Sequence, residues 1–245
     1  MTEDEIHKIA AVEQHQWWYR GTREICFSLL EPFIANRPPL EILDVGCGTG
    51  GNLLALARYG HARGIDIDPL CVGYCRTKGL DVSRGTMTDL QQPRASLDLL
   101  TMFDVLYHVE PHDTVGVLRG MADAIRPGGV IAFREPAMHI ARGWHDRAVN
   151  GRQRFDKPGI ATALRDAGFE PLRISYLNTV LFPPIVLVRR LQDLRQPDLA
   201  KSDVEDTGEP LNSLLLGILR AERAMLRITD LPFGVSLFAV ARRGT

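Results

Sequence analysis

The chain of 245 residues is 45% hydrophobic and 24% charged with a formal net charge of −1, enough for a full α/β core but without the basic excess that a nucleic-acid partner requires. No charged-then-apolar leader opens it, and its longest apolar run, 180–188, is too short to span a bilayer and contains Pro183 and Pro184. Its four cysteines have neither disulfide-framework nor zinc-site spacing, so a reduced, cytoplasmic protein with no metal and no stable membrane insertion is expected.

Residues 1–39 read as a helical cap. A short helix over 6–12 leads into His15-Gln16-Trp17-Trp18-Tyr19-Arg20-Gly21-Thr22-Arg23, whose aromatics serve either as core staples or as a cover for a ligand mouth. Residues 24–34 continue as an amphipathic helix that Asn36-Arg37-Pro38-Pro39 breaks. The core, 40–177, begins with a strand carrying Ile42, Leu43 and Val45, then Gly46, Gly48 and Gly50, then Leu53, Leu54 and Leu56 at helical spacing. Strand, glycine turn and helix in that order build a nucleotide site, because bare backbone lets a ligand lie close. Gly46, Gly48 and Gly51 also satisfy the dinucleotide fingerprint, so spacing alone leaves the ligand open. Asp44, at the turn or just beneath it, is a poor neighbour for a pyrophosphate and a good one for a cation. A second strand over 62–67 brings Asp66 about twenty residues after Gly46, where an acid accepts from both ribose hydroxyls. Asp68-Pro69 reads instead as a helix cap.

A helix over 69–78 stops at Gly79, and 81–85 is a short third strand. The fourth, 97–103, ends in Phe103 and Asp104 at the place where a reacting group is delivered. His108 serves either as a base or to order the turn, and His112, before a helix over 113–125, reads equally as a surface residue. The fifth strand, 130–135, feeds a loop holding His145, Asp146, Arg152 and Arg154, which overhangs the carboxyl ends of the strands. There His145 and Asp146 either move a proton or fix the loop by hydrogen bonds with Arg152 and Arg154 solvated. A helix over 157–167 and a strand over 173–177 follow, then an insertion over 178–232 whose residues 211–228 form an amphipathic helix suited to a lid or a homodimer face. The alternation over 233–241 marks the last strand of the 233–245 segment.

Leu43-Asp44-Val45-Gly46-Cys47-Gly48-Thr49-Gly50, Gly64-Ile65-Asp66, Phe103-Asp104-Val105-Leu106-Tyr107-His108-Val109 and Ile125-Arg126-Pro127-Gly128-Gly129 occur in the order seen in class I S-adenosylmethionine-dependent methyltransferases, which the chain resembles. The Trp-Trp-Tyr segment, His145-Asp146 and Pro232-Phe233-Gly234-Val235-Ser236 resemble a subgroup of that family. The resemblance implies one α/β domain over 1–245: a Rossmann-like seven-stranded sheet, six strands parallel and one antiparallel, with helices on both faces. It implies S-adenosyl-L-methionine as cofactor, which carries an ammonium and a sulfonium and no phosphate. Tyr19 with Arg23 or Arg20 would meet its methionine carboxylate, Phe103 and Asp104 would line its methionine side, and Asp44, Gly46, Gly48 and Gly50 would bind it at the turn. Asp66 and Ile67 would meet the ribose and Thr86 with Met87 the adenine, while His145 and Asp146 would be catalytic. Three features depart from the family pattern: Thr86 replaces an adenine-binding acid, Arg154-Phe155 replaces an Arg-Arg-Tyr element, and Asn150-Gly151 stands where relatives often have histidine. The implied reaction is methyl transfer to a hydroxyl, amine or carbon of a small-molecule acceptor from specialised metabolism or glycan- or lipid-linked biosynthesis. The alternatives are a binder of the same cofactor that does not transfer methyl, as in a cyclase, and a nicotinamide-dependent oxidoreductase.

Overall fold

A computed structural model describes residues 2–35, 39–143, 146, 149–195 and 207–244. At its centre is a seven-stranded sheet in the order β3-β2-β1-β4-β5-β7-β6. The strands are β1 (Leu40–Val45), β2 (Gly60–Asp66), β3 (Asp81–Arg84), β4 (Leu97–Phe103), β5 (Ile125–Pro136), β6 (Phe169–Leu177) and β7 (Ser236–Arg243). Only β7 runs against its neighbours, inserted between β5 and β6, so the expected Rossmann-like arrangement is the one observed. All parallel strands therefore end at one edge, where the glycine turn lies.

Alternation along β1 explains why both faces are covered. Leu40 and Ile42 point to one cluster, shared with α2 (Trp17–Ile34), α3 (Gly51–Leu56) and α8 (Glu209–Leu226). Leu43 and Val45 point to the other, shared with α5 (Thr114–Ala124) and α6 (Lys157–Asp166). A third cluster packs α4 (Pro69–Thr77) against Leu53 and Val82. The helix start at Asp68-Pro69 is as expected, the Asp68 carboxylate accepting the N–H of Leu70 at 2.8 Å.

Several boundaries differ from the sequence reading, the sixth strand starting at Phe169 rather than 173, and two of them have a clear local cause. The amphipathic helix begins at Trp17 rather than residue 24, because the Gln16 side chain caps it by accepting from Trp18 at 2.9 Å and Tyr19 at 3.4 Å. The tryptophan segment is thus the first part of α2, and helical spacing decides which side chains share a face. The fifth strand starts at Ile125, five residues early, since Ile125 pairs with Leu97 across an irregularity before the ladder resumes at Leu99 and Val130. The insertion contains α7 (Phe182–Arg195) and α8; α8 packs along α2, with the side chain of Leu219 filling the space beside Gly21. Among the described residues, no helix is long and apolar enough to cross a membrane.

Candidate active site

Five amides of the glycine loop between β1 and α3 are already engaged. Gly46 and Cys47 donate to the Ile65 carbonyl at 2.8 and 3.0 Å, and Gly50 donates to Cys47 at 3.0 Å. Gly48 donates to Asp66 Oδ2 at 2.8 Å, and Gly51 donates to Glu13 Oε2 at 3.1 Å. Two carboxylates thus occupy loop N–H groups that a pyrophosphate would need, so this turn is no phosphate cradle. Gly48 has φ +55, and a Cβ there would point into open space, leaving room for a ligand against bare backbone.

Glu13 comes from the turn after α1 (Glu3–Val12), and no feature of the sequence pointed to it. Its other oxygen accepts from Lys78 Nζ at 2.7 Å, Lys78 also donates to the Thr49 carbonyl at 2.7 Å, and Arg23 Nη2 donates to the Glu13 carbonyl at 2.5 Å. Gly51 sits under this group, and a Cβ there would meet both Glu13 and Arg23, so glycine is required for close approach rather than for its backbone angle. Tyr19 and Arg23 are four residues apart on α2 and face the loop together. Burial pushes the Tyr19 phenol up to about 12, with Glu5 adding to the rise, which keeps it a hydrogen-bond donor. Of the two arginines considered, Arg20 is turned away and pairs with Glu24 at 3.2 Å. Trp17 belongs to the packing, its backbone N–H donating to Asn212 Oδ1 on α8 at 2.6 Å.

Beneath the loop, Asp44 is 1% exposed and accepts from Thr101 Oγ1 at 2.6 Å, while its second oxygen is buried with no partner. Burial pushes this carboxyl up to about 7. A nearby cation favours its ionised form. Asp66 uses one oxygen for Gly48 and the other for the Asp68 N–H at 2.9 Å, and each carboxylate oxygen still has a lone pair to offer a ribose. Ile67 beside it is 64% exposed, an apolar wall next to that acid.

At the end of β4, sequence reasoning missed Arg134 and Glu135, which hold the turn that Asp104 begins. Asp104 has φ +56 and turns the chain out of the sheet. Its carboxylate is clamped by Arg134 of β5, with Nε to Oδ1 at 3.3 Å and a second bond from Nη2 to Oδ2. The next residue, Glu135, is fully buried and accepts the N–H groups of Val105, Leu106 and Tyr107 at 3.3, 2.9 and 3.1 Å. Burial raises its carboxyl to about 8. Adjacent strand residues point to opposite faces, so Arg134 and Glu135 grip the same turn from two sides. The Phe103 side chain turns instead to the α2-face cluster, 6.3 Å from the Phe27 ring.

On the acceptor side, His145 lies outside the described residues. Asp146 is buried and gives both oxygens to Arg154, at 2.7 and 3.0 Å, with Gly143 donating to it at 2.9 Å. Burial pushes its pKa up, but the Arg154 hydrogen bonds and charge outweigh that and hold it below the usual range. Asp146 is therefore occupied as a loop staple, and Arg154, expected to be solvated under that reading, is buried because Asp146 and the Ala137 carbonyl at 2.7 Å take its fork. Arg152 is exposed beside Glu110. His108 is also exposed, its ring 4.0 Å from that of Tyr107. The Thr86 hydroxyl is engaged with Thr88 Oγ1 at 3.1 Å and the Asp89 N–H at 3.2 Å. Met87 borders two cavities, of about 360 and 550 Å³, on the α5 side; neither touches the glycine loop. Among the described residues no cluster of metal-ligating side chains occurs.

A sheet of this order, with one antiparallel strand inserted between β5 and β6, is the Rossmann-like fold of methyltransferases. The chain belongs to the methyltransferase-domain family, whose model matches residues 17–174. A probable S-adenosylmethionine-dependent methyltransferase of Mycolicibacterium smegmatis is 27% identical over 169 residues, 66% of this chain and 63% of that protein. The chain thus spans less than two thirds of that relative's length. The crystal structure of the cyclase SpnF superposes with a TM-score of 0.61 at 20% identity, covering 93% of this chain and 83% of that one. A Mesorhizobium loti S-adenosylmethionine-dependent methyltransferase superposes with a TM-score of 0.59 at 20% identity, covering 89% and 98%. Those two likenesses establish the fold.

Proposed function

We propose that this chain is an S-adenosylmethionine-dependent methyltransferase acting on a hydroxyl of a small, largely apolar acceptor. The observation that carries the cofactor assignment is the pair of carboxylates, Glu13 and Asp66, seated on the Gly51 and Gly48 amides. They repel a pyrophosphate, and with the unpartnered buried oxygen of Asp44 they suit a cationic, phosphate-free nucleoside. The nicotinamide reading loses its phosphate site by the same geometry.

When bound, the cofactor supplies an electrophilic methyl on a sulfonium. The chain's own residues position and shield it. Arg23 and Tyr19 take the methionine carboxylate, Asp66 the ribose, Ile67 the purine face, and the Thr86-Met87 backbone the adenine edge. Glu135 holds the turn after β4 in a single conformation, which sets the approach for an acceptor in line with the breaking bond. His145 takes the acceptor proton, while Asp146 serves it only through the shape of the loop. The hydroxyl assignment draws on a Hahella chejuensis relative named as a ubiquinone biosynthesis O-methyltransferase, 33% identical over 135 residues. The apolar insertion, with Leu187 and Leu191 exposed on α7, favours a specialised-metabolite or lipid-linked acceptor.

Calorimetry with S-adenosylhomocysteine and with NAD, followed by an acceptor screen reading S-adenosylhomocysteine release, tests this. Tight binding of the first compound alone and turnover with a phenol or alcohol are expected, and His145→Ala should keep affinity and lose most turnover. Preference for NAD overturns the cofactor assignment. Cofactor retention with no product from any acceptor class marks a non-methylating protein.

A further inference from the structure

Two cysteines that their sequence spacing left unrelated meet at one carbonyl in the fold. Cys75, on α4, donates to the Gly48 oxygen at 3.2 Å, and Cys47, in the glycine loop itself, reaches the same oxygen at 4.0 Å. A Cβ on Gly50 would lie 3.0 Å from the Cys75 sulfur, and one on Gly64 would lie 2.7 Å from the Cys47 sulfur. The two sulfurs therefore fill the space under the turn, against α4 and β2. Each governs the proton of the other. Hydrogen bonding with Cys47, then the Lys78 charge, holds the Cys75 thiol below its ordinary range against the effect of burial. Hydrogen bonding with Cys75, then burial, pushes the Cys47 thiol up.

The loop that carries Cys47 is built to yield at this point. Cys47 stands between Gly46 and Gly48, at φ +68 and +55, where bare backbone permits a small rotation. Joining the sulfurs brings them to about 2.05 Å and draws Cys47 onto α4. The consequence falls on Gly48, which gives its carbonyl to the thiols and its N–H to Asp66 at 2.8 Å. Closure removes the S–H donors from that carbonyl and displaces the peptide that fixes Asp66.

We propose that Cys47 and Cys75 form a reversible disulfide that ties the glycine loop to α4 and weakens cofactor binding. The consequence rests on the cofactor reading above; the bond itself does not. The oxidant is a hydroperoxide small enough to reach Cys47, which is 7% exposed while Cys75 is fully buried. The Cys47 sulfur attacks a peroxide oxygen, the O–O bond breaks, and a sulfenic acid and one water are formed. The Cys75 sulfur then displaces the hydroxyl, which leaves as a second water with the remaining thiol proton as the S–S bond forms. Two electrons pass from the thiols to the peroxide, and a dithiol reductant returns them. By linkage, the cofactor opposes the bond by the same factor as the bond opposes the cofactor.

The test needs no acceptor. Hydrogen peroxide is added to the reduced chain, and its peptides are mapped by mass spectrometry without reduction. A pair joined through Cys47 and Cys75, and released by dithiothreitol, is expected. Calorimetry should show S-adenosylhomocysteine binding weakened about tenfold or more by oxidation and restored by dithiothreitol. In a glutathione redox buffer, saturating S-adenosylhomocysteine should raise the potential of the pair by about 30 mV, the same tenfold in a two-electron couple. Cys75→Ala should have an affinity that peroxide does not alter, with Cys47→Ala as the second variant should the first not fold. A folded, oxidised chain without the linked pair overturns the proposal, and so does a linked chain of undiminished affinity. A reduced chain that does not bind S-adenosylhomocysteine overturns the cofactor reading and the stated consequence, while the peptide map still decides the bond.

Discussion

The carboxylate of Glu13 accepts the backbone N–H of Gly51 at 3.1 Å, joining the N-terminal cap to the first turn of the helix after the glycine loop. Removing that carboxylate leaves the buried Gly51 amide without its acceptor and takes from Lys78 its ion-pair partner, the Thr49 carbonyl remaining. Glu13→Ala is expected to cost about 1–3 kcal/mol of stability, the range for an unsatisfied buried group. It should also lower S-adenosylhomocysteine affinity about tenfold, because Arg23 is framed by the same turn. Denaturant unfolding and calorimetry measure both, and an unaltered affinity would separate the cap from the site.

The two cap arginines should behave differently. Arg20 makes an exposed ion pair with Glu24, so Arg20→Ala should leave cofactor affinity within about twofold. Arg23→Met removes a guanidinium that faces the loop and should weaken S-adenosylhomocysteine binding by about ten- to a hundredfold. Equal effects from both would move the methionine carboxylate away from Arg23.

Stability should fall as pH rises through neutrality. Glu135, raised from 4.5 to about 8, keeps a proton in the folded chain that the unfolded chain has already released. Its contribution is complete below about pH 4.5 and is lost as pH rises towards 8, with a slope of at most about 1.4 kcal/mol per pH unit. Asp44, raised from 3.8 to about 7, acts in the same direction. Asp146 and Glu24 are lowered and act oppositely, but only below the ordinary carboxylate range. Urea midpoints at pH 5, 6.5 and 8 should decline in the wild type and decline less steeply in Glu135→Gln, where Asp44 still acts. A wild-type midpoint that climbs over that interval contradicts the assignment.

Arg154→Met should destabilise by about 3–5 kcal/mol, since it strands a buried carboxylate. Combining it with Asp146→Leu should recover much of the loss, because no charge is then left unpaired. If the double variant is as unstable as the sum of the singles, the two residues are not coupled.

Much of the site was legible because local chemistry specified it. Gly46, Gly48 and Gly50 declare a tight turn by lacking side chains, and Asp68-Pro69 declares a helix start by capping geometry. Asp66 was legible because the length of a strand–helix–strand unit sets where the second strand ends. Three residues went unmarked for one shared reason. Glu13, Arg134 and Glu135 act across 38, 30 and 28–30 residues of sequence, and no local pattern marks a carboxylate or guanidinium as the partner of a distant amide.

The chain order of apolar runs and glycines was sufficient by itself for most strands and helices and for the tight turn, since hydrophobic period and turn chemistry are properties of neighbours in sequence, while the seven-stranded fold was implied by the resemblance of its motifs to a family. Which arginine of the cap faces the glycine loop, which acids sit on its amides, and whether Asp146 is free of a buried partner were decided only in three dimensions. Each depends on a carboxylate having one set of lone pairs, and on which buried donor reaches it first when the sheet closes.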